Sequence, residues 1–188
     1  MLLLASASPR RRELLQSAGV QFTVLPADAD ETWLPGELPR AYVLRVAREK
    51  ARRVAALRPG ARVVAADTTV AIGDRVLGKP ADAAHAAAML ADLAGREHAV
   101  HTAVVLLVGA RDTHRVVTTR VRFRPLTARE IADYVATGEP FDKAGGYGIQ
   151  GQGGALVEIV HGSYTNVVGL PLVETLALLA ADDARKRT

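Results

Sequence analysis

Short apolar runs alternate with amphipathic stretches along this chain, and that alternation limits the fold more than any other feature. An apolar run bounded by turn residues suits a buried strand, whereas apolar positions every three to four residues suit a helix packed on a sheet. Their alternation predicts an α/β fold. Leu2, Leu3, Leu4 and Ala5 read as a first buried strand. Ser8 and Pro9 then open a helix, with Ser as N-cap and Pro where the missing N–H would have had no partner. Gly19 suits the left-handed position that closes it. Residues 20–25 read as a second strand and 28–39 as a polar loop; Pro39 begins a long helix reaching about Leu57.

The second half continues the pattern. Residues 63–72 are strand-like, with Asp67-Thr68-Thr69 reading as an interruption, and Gly73-Asp74 turns the chain back through 75–77. Asp82 caps an alanine-rich helix that stops at Gly95. Residues 98–108 and 114–124 read as paired strands. In the second of these, Val117, Thr119, Val121 and Phe123 share one face, and Arg120, Arg122 and Arg124 share the other, as a period of two requires. Thr127 and Glu130 form a capping box for a helix ending at Gly138. Residues 145–154 are a glycine-dense loop and 155–160 a strand. Pro171 starts a last helix, whose tail Arg185-Lys186-Arg187 complements a helix C-terminus.

Composition narrows the class. At 188 residues and 49% hydrophobic, the chain can hide roughly 70% of its unfolded surface, and one domain spanning 1–188 is expected. Aromatic residues are only 4%, so Ala, Val and Leu must fill the core and few rings remain to stack single-stranded nucleic acid. The absence of cysteine excludes a disulfide framework and any thiolate nucleophile or metal site. No run approaches the ~20 apolar residues of a membrane span. The short apolar start precedes its arginines, the reverse of a signal peptide. A cytoplasmic protein with no membrane partner is expected. The net charge of +4 suits an anionic partner, either nucleotide or nucleic acid, and also a solvated surface.

Four groups of residues are candidates for chemistry. Ser6-Ala7-Ser8-Pro9-Arg10-Arg11-Arg12 places small residues, hydroxyls and guanidinium groups where a strand gives way to a helix. Free N–H groups and the helix dipole there can cradle a phosphate, although a run of three arginines also suits a nucleic-acid patch. Asp67 lies inside an apolar run, and a carboxylate there is costly unless paired or metal-bound. Lys50, Lys79 and Glu31 are charges that singly suit a solvated surface. Asp142 to Gly151 joins Tyr147, Ile149 and Gln150 to a dense set of glycines. Glycine lets backbone approach a ligand closely, and a glutamine amide can read a base edge as both donor and acceptor. There is no Walker-type Gly-x-x-x-x-Gly-Lys-Ser/Thr and no Gly-x-Ser-x-Gly elbow. His85, His98, His101, His114 and His161 form no convincing metal set.

Taken in order, these segments resemble the Maf family, also called septum-formation inhibitor proteins. The matching pieces are Leu4 to Arg11, Ala47-Arg48-Glu49-Lys50-Ala51, Ala66-Asp67-Thr68, Gly78-Lys79-Pro80, Asp142 to Gly151, Gly162-Ser163-Tyr164 and Val168-Gly169-Leu170-Pro171. The family commonly has Gly where this chain has Ala7, a change that still permits the turn. The resemblance implies an elongated mixed sheet with flanking helices, and two lobes around a nucleotide cleft similar to inosine triphosphate pyrophosphatases. It also implies a homodimer and hydrolysis of nucleoside triphosphates between the α and β phosphates with a divalent metal, Mg²⁺ or else Mn²⁺. Asp67 falls on the family's proton-acceptor position. Glu31, Lys50 and Lys79 fall on its other polar site positions. Arg10, Thr68 and Gln150 fall on the positions for substrate choice, and in combination resemble the members that act on dTTP and UTP.

On that basis Ser8, Arg11, Lys50 and Lys79 are expected to bind phosphates, with Gln150, Arg10 and Thr68 selecting the base. Glu31 and Asp67 are the expected metal ligands. Asp67 as principal metal ligand and Asp67 as free base are both open at this level. The rival classes are a nucleic-acid-binding module, built on the arginine run and the basic strand face, and a regulatory protein that binds nucleotides without turnover.

Overall fold

The computed structural model describes residues 1–186; Arg187, placed above at the helix tail, lies outside them. In chain order the elements are β1 (Leu2–Leu4), α1 (Pro9–Ser17), β2 (Thr23–Val24), α2 (Pro39–Leu57), β3 (Arg62–Ile72), β4 (Arg75–Leu77), α3 (Ala83–Leu93), β5 (Glu97–Val108), β6 (Arg111–Phe123), α4 (Ala128–Ala136), β7 (Val157–His161), α5 (Tyr164–Val168) and α6 (Leu172–Arg185). The strands form a seven-stranded mixed sheet in the order β2-β1-β3-β5-β6-β7, with β4 paired to β3. β1 runs parallel to both β2 and β3, whereas β3–β4 and β6–β7 are antiparallel. The α/β expectation holds.

The chain divides into two compact units. The first comprises residues 1–68, 102–117 and the segment from Gly169 onward. Its core gathers Leu2 and Leu4 of β1, Leu15 of α1, Val64 and Ala66 of β3, Val104 and Leu106 of β5, and Leu178 and Leu179 of α6. The second comprises Thr69–His101 and Thr118–Val168. Its core is built on Leu90 and Leu93 of α3, Val121 and Phe123 of β6, Ile131 and Tyr134 of α4, and Tyr147. Tyr147, Phe123 and His98 pack edge to face, with ring centroids 4.7 to 5.4 Å apart, a geometry favoured by the ring quadrupoles.

Three local expectations change. The strand expected over 20–25 shrinks to Thr23–Val24, because β1, beside which it lies at the sheet edge among the described residues, is itself three residues long. The strand expected from 155 starts at Val157, since a 3-10 turn over Gln152–Leu156 takes the residues before it. Asp67-Thr68-Thr69 does not interrupt β3, which runs unbroken through eleven residues. The caps appear as read: Ser8 accepts from Arg11 N–H and Asp82 from His85 N–H, and Thr127 with Glu130 closes a full capping box. On β6, Thr119, Val121 and Phe123 are buried while Arg120 and Arg122 are exposed, the alternation of a half-buried strand.

Candidate active site

Helix α2 carries an apolar stripe, with Val43, Val46, Ala47, Ala51 and Val54 buried, and Lys50 falls on it. The i, i+3, i+4 spacing turns Lys50 inward, and only 7% of it remains exposed. Lys50, which taken singly suited a solvated surface, is therefore a buried cation. It meets Asp67, which is 5% exposed in the middle of β3. The ammonium donates to Asp67 Oδ1 at 2.8 Å and pairs with Glu31 Oε1 at 2.6 Å. Two carboxylates thus converge on one cation, and each charge has the partner that burial demands.

Burial pushes the Asp67 carboxyl pKa above its ordinary value, while Lys50 and Arg11 pull it back without cancelling the rise. Since Oδ1 is taken by Lys50, Oδ2 is the oxygen left to accept a proton. A carboxylate in this state is more basic than one in water and is positioned by a fixed partner.

Glu31 has no regular element beneath it, and α2 supplies the support. Tyr42 donates its hydroxyl to the Glu31 carbonyl at 2.8 Å. Arg45 binds the Thr32 carbonyl and both carboxyl oxygens of Glu37, while Trp33 Nε1 donates to the Glu37 carbonyl. The polar loop is therefore tied down at several points, and Glu31 side-chain exposure is 46% against 7% for Asp67.

The turn into α1 forms the other wall of this unit's site. Ser8 caps the helix, and its own N–H donates to Ser6 Oγ at 3.2 Å. Arg11 spends its fork inside the protein. Nε donates to the Gly169 carbonyl at 2.8 Å, and the terminal nitrogens donate to Ser6 Oγ and Thr68 Oγ1, each at 3.1 Å. Burial lowers its pKa, opposed by the nearby Asp67; a guanidinium stays charged regardless. Thr68 Oγ1 also lies 2.9 Å from Thr102 Oγ1 and 3.3 Å from the Gly169 carbonyl. Arg11 and Thr68 are thus struts next to Asp67 as well as candidates for substrate contact. Arg10 lies half-buried in the first turn of α1. Tyr42 and Thr102 escaped the sequence reading, while Ser6 and Gly169 lie in segments it had singled out. The signal for Tyr42 was its place two turns before Lys50 on the same stripe.

Lys79 and Gln150 belong to the second unit. Lys79 is exposed just after β4, and Gln150 is exposed in the glycine loop. That loop is packed. Tyr147 is 5% exposed, and its hydroxyl lies 2.8 Å from His98 Nε2. Gly145 has φ of 72°, and a side chain there would meet Val70 at 2.8 Å, so no other residue fits. The basic strand face, on which the rival nucleic-acid reading rested, is neutralised by carboxylates. Arg120 faces Glu97 at 3.7 Å, Arg122 faces Glu158 at 3.0 Å and Arg124 faces Glu130 at 2.7 Å.

A family model described as Maf-like protein matches residues 1–182. The chain belongs to the Maf-like protein family. A dTTP/UTP pyrophosphatase of Myxococcus xanthus (strain DK1622) is 59% identical over 179 residues, covering 95% of this chain and 91% of its own. One from Anaeromyxobacter dehalogenans (strain 2CP-1) is 58% identical, with 95% and 92% covered, and one from Shewanella denitrificans is 51% identical, with 95% and 94% covered. Among solved structures, a HAM1 protein from Coxiella burnetii aligns with 96% of this chain and 98% of its own at 17% identity and a TM-score of 0.48.

The residues present fit the divalent metal that membership in this family suggests. Glu31 and Asp67 already flank one cation, the Lys50 ammonium, with hard oxygen donors. Among the described residues no three His, Asp or Glu side chains form a closed cage. One or two carboxylates completed by phosphate oxygens are what a magnesium-type ion commonly takes. No helix among the described residues is long and apolar enough to cross a membrane.

Proposed function

We propose that this Maf-like protein hydrolyses nucleoside triphosphates, chiefly dTTP and UTP, to the nucleoside monophosphate and pyrophosphate. The observation that carries the proposal is the buried Asp67 carboxyl, held by Lys50 and raised in pKa at the heart of the first unit.

Phosphoryl transfer depends mainly on positioning and charge neutralisation. Asp67 Oδ2 accepts a proton from water as the water oxygen bonds to the α-phosphorus. The bond from that phosphorus to the bridging oxygen breaks, and pyrophosphate leaves with the electron pair. Lys50 keeps the carboxylate oriented and stabilises its charged form before the transfer. The turn at Ser8, with the first N–H groups of α1, receives phosphate oxygens. Arg11 fixes the turn and Thr68 beside it, and its two remaining N–H groups are assigned to phosphate. Lys79 is assigned to the phosphate tail, and Gln150 with Arg10 and Thr68 to choice of base. With Asp67 acting as the base, a divalent cation, Mg²⁺ or else Mn²⁺, would be held by Glu31 and would neutralise phosphate charge when bound.

A single catalytic domain over 1–188, acting as a homodimer in the cytoplasm, belongs to the same proposal and rests on the family resemblance. Neutralisation of Arg120, Arg122 and Arg124 by carboxylates favours a nucleotide over nucleic acid as partner. The test is a triphosphate panel scored separately for pyrophosphate and orthophosphate, with and without Mg²⁺. Pyrophosphate release that is fastest from dTTP and UTP is expected. Tight nucleotide binding with no release of either product would select the regulatory reading instead.

A further inference from the structure

The glycine loop that carries Gln150 is organised around one carboxylate outside it. Glu139 Oε2 accepts the backbone N–H of Gln152 at 2.9 Å, and Oε1 accepts that of Gly153 at 3.0 Å. The Tyr134 hydroxyl donates to Oε1 at 2.9 Å and itself accepts Gly148 N–H at 3.2 Å. Glu139 is placed in turn by Lys143, whose ammonium binds the Glu139 carbonyl at 2.7 Å, and by Thr137, whose hydroxyl accepts the Glu139 N–H at 3.1 Å.

The glycines are the other half of the fit. A Cβ on Gly151 would stand 2.7 Å from the Glu139 carboxyl carbon. A Cβ on Gly153 would stand 2.6 Å from the Tyr134 hydroxyl, and one on Gly148 would stand 2.6 Å from Lys143 Cε. These positions are glycine because the backbone presses against the clamp. Gly151 N–H also closes a turn onto the Gly148 carbonyl at 3.2 Å, spanning Ile149 and Gln150. Tyr147 and Ile149 anchor the near side of that turn in the core. Gln150 is exposed between these two fixed ends. Burial pushes the Glu139 carboxyl pKa up, but the bonds from Gly153, Gln152 and Tyr134 outweigh it and leave it below its ordinary value. The clamp is thus ionised at neutral pH, when its hydrogen bonds are charge-assisted.

We propose that Glu139 is a positioning residue that holds the turn over Gly148 to Gly153 and so presents Gln150 for base selection. The proposal deepens the reading of Gln150 as a base-contacting residue and rests on it. Glu139→Gln supplies one amide oxygen where two carboxylate oxygens worked and removes the charge. Gly151→Ala disturbs the same bonds from the loop side while keeping the carboxylate.

The test measures two things on both variants. Amide hydrogen exchange at Gln152 and Gly153 should quicken by about tenfold or more, the value of one charge-assisted bond. The preference for dTTP over ATP in kcat/KM should fall by a similar factor, through KM, with kcat for dTTP little changed. Unchanged exchange in Glu139→Gln, in a variant of wild-type Tm, would overturn the clamp. Quickened exchange with an intact preference and KM would overturn the link to Gln150. Failure of the parent reading looks different: wild-type protein then releases no pyrophosphate from any triphosphate, and exchange alone decides whether Glu139 orders the loop.

Discussion

Replacing Lys50 with Met tests the electrostatic design most severely. Methionine is one atom shorter than lysine but keeps an unbranched apolar stem on the buried stripe of α2, so packing changes little. What disappears is the cation 2.8 Å from Asp67 and 2.6 Å from Glu31. At an effective dielectric of about 20, two unit charges at that separation attract by about 6 kcal/mol. Release of the lysine from its own desolvation offsets part of this, and breaking a buried pair from one side costs about 3–5 kcal/mol. Asp67 can escape the penalty by taking a proton. Its pKa is already above the usual carboxylate range, and loss of Lys50 raises it further. The folded variant then holds a proton that the unfolded chain releases near pH ~3.9.

The sign follows from linkage: a raised folded pKa gives stability that is full below the unfolded value and is lost as pH rises through the folded one. Urea unfolding of both proteins across pH about 4.5 to 8.5 measures this. The difference between wild type and Lys50→Met should be smallest in acid and grow toward alkaline pH. The acid limb of kcat/KM should move to higher pH in parallel. A pH-independent difference, or an unmoved acid limb, would show that Lys50 does not govern the charge on Asp67.

Three further outcomes follow from the geometry. Asp67→Asn should lower kcat by about 10²- to 10⁴-fold, the usual contribution of a positioned base, with pyrophosphate release as the measure and a retained circular dichroism spectrum as the control. Arg11→Lys should lower stability by about 1–3 kcal/mol in a thermal melt, because an ammonium cannot span Gly169, Ser6 and Thr68 as the fork does. Burial lowers the His98 pKa to about 4, so the unfolded chain binds the extra proton between that value and ~6.5. Wild-type stability should therefore fall by up to roughly 3 kcal/mol as pH drops through that window, and His98→Phe should remove that slope in urea melts.

How much of this was legible in the sequence depended on whether the cause was local. Caps and the period of β6 are decided within a few neighbours, and they appear as read. The length of β2 was not legible, because the ladder is limited by β1, a partner distant in the chain. Asp67 looked like a break in a strand because a lone carboxylate is too costly inside one. The cation that makes it tolerable comes from α2, seventeen residues earlier. Lys50 was picked out by the family resemblance, and its burial could have been read as well, since it continues the stripe of Val43, Val46 and Ala47. Arg11 was readable as a cation at a helix start, but its work as a strut was not, because its partners are Thr68 and Gly169. Glu139 gave no signal at all; a single acid before Pro140 says nothing of two N–H groups that fold back upon it.

The most direct measurement of the central chemistry is hydrolysis of dTTP in water enriched with oxygen-18, followed by mass spectrometry of both products. Water activated by Asp67 and aimed at the α-phosphorus puts the heavy oxygen in thymidine monophosphate and leaves pyrophosphate unlabelled. Label in pyrophosphate, or in orthophosphate released from the end of the chain, would contradict it.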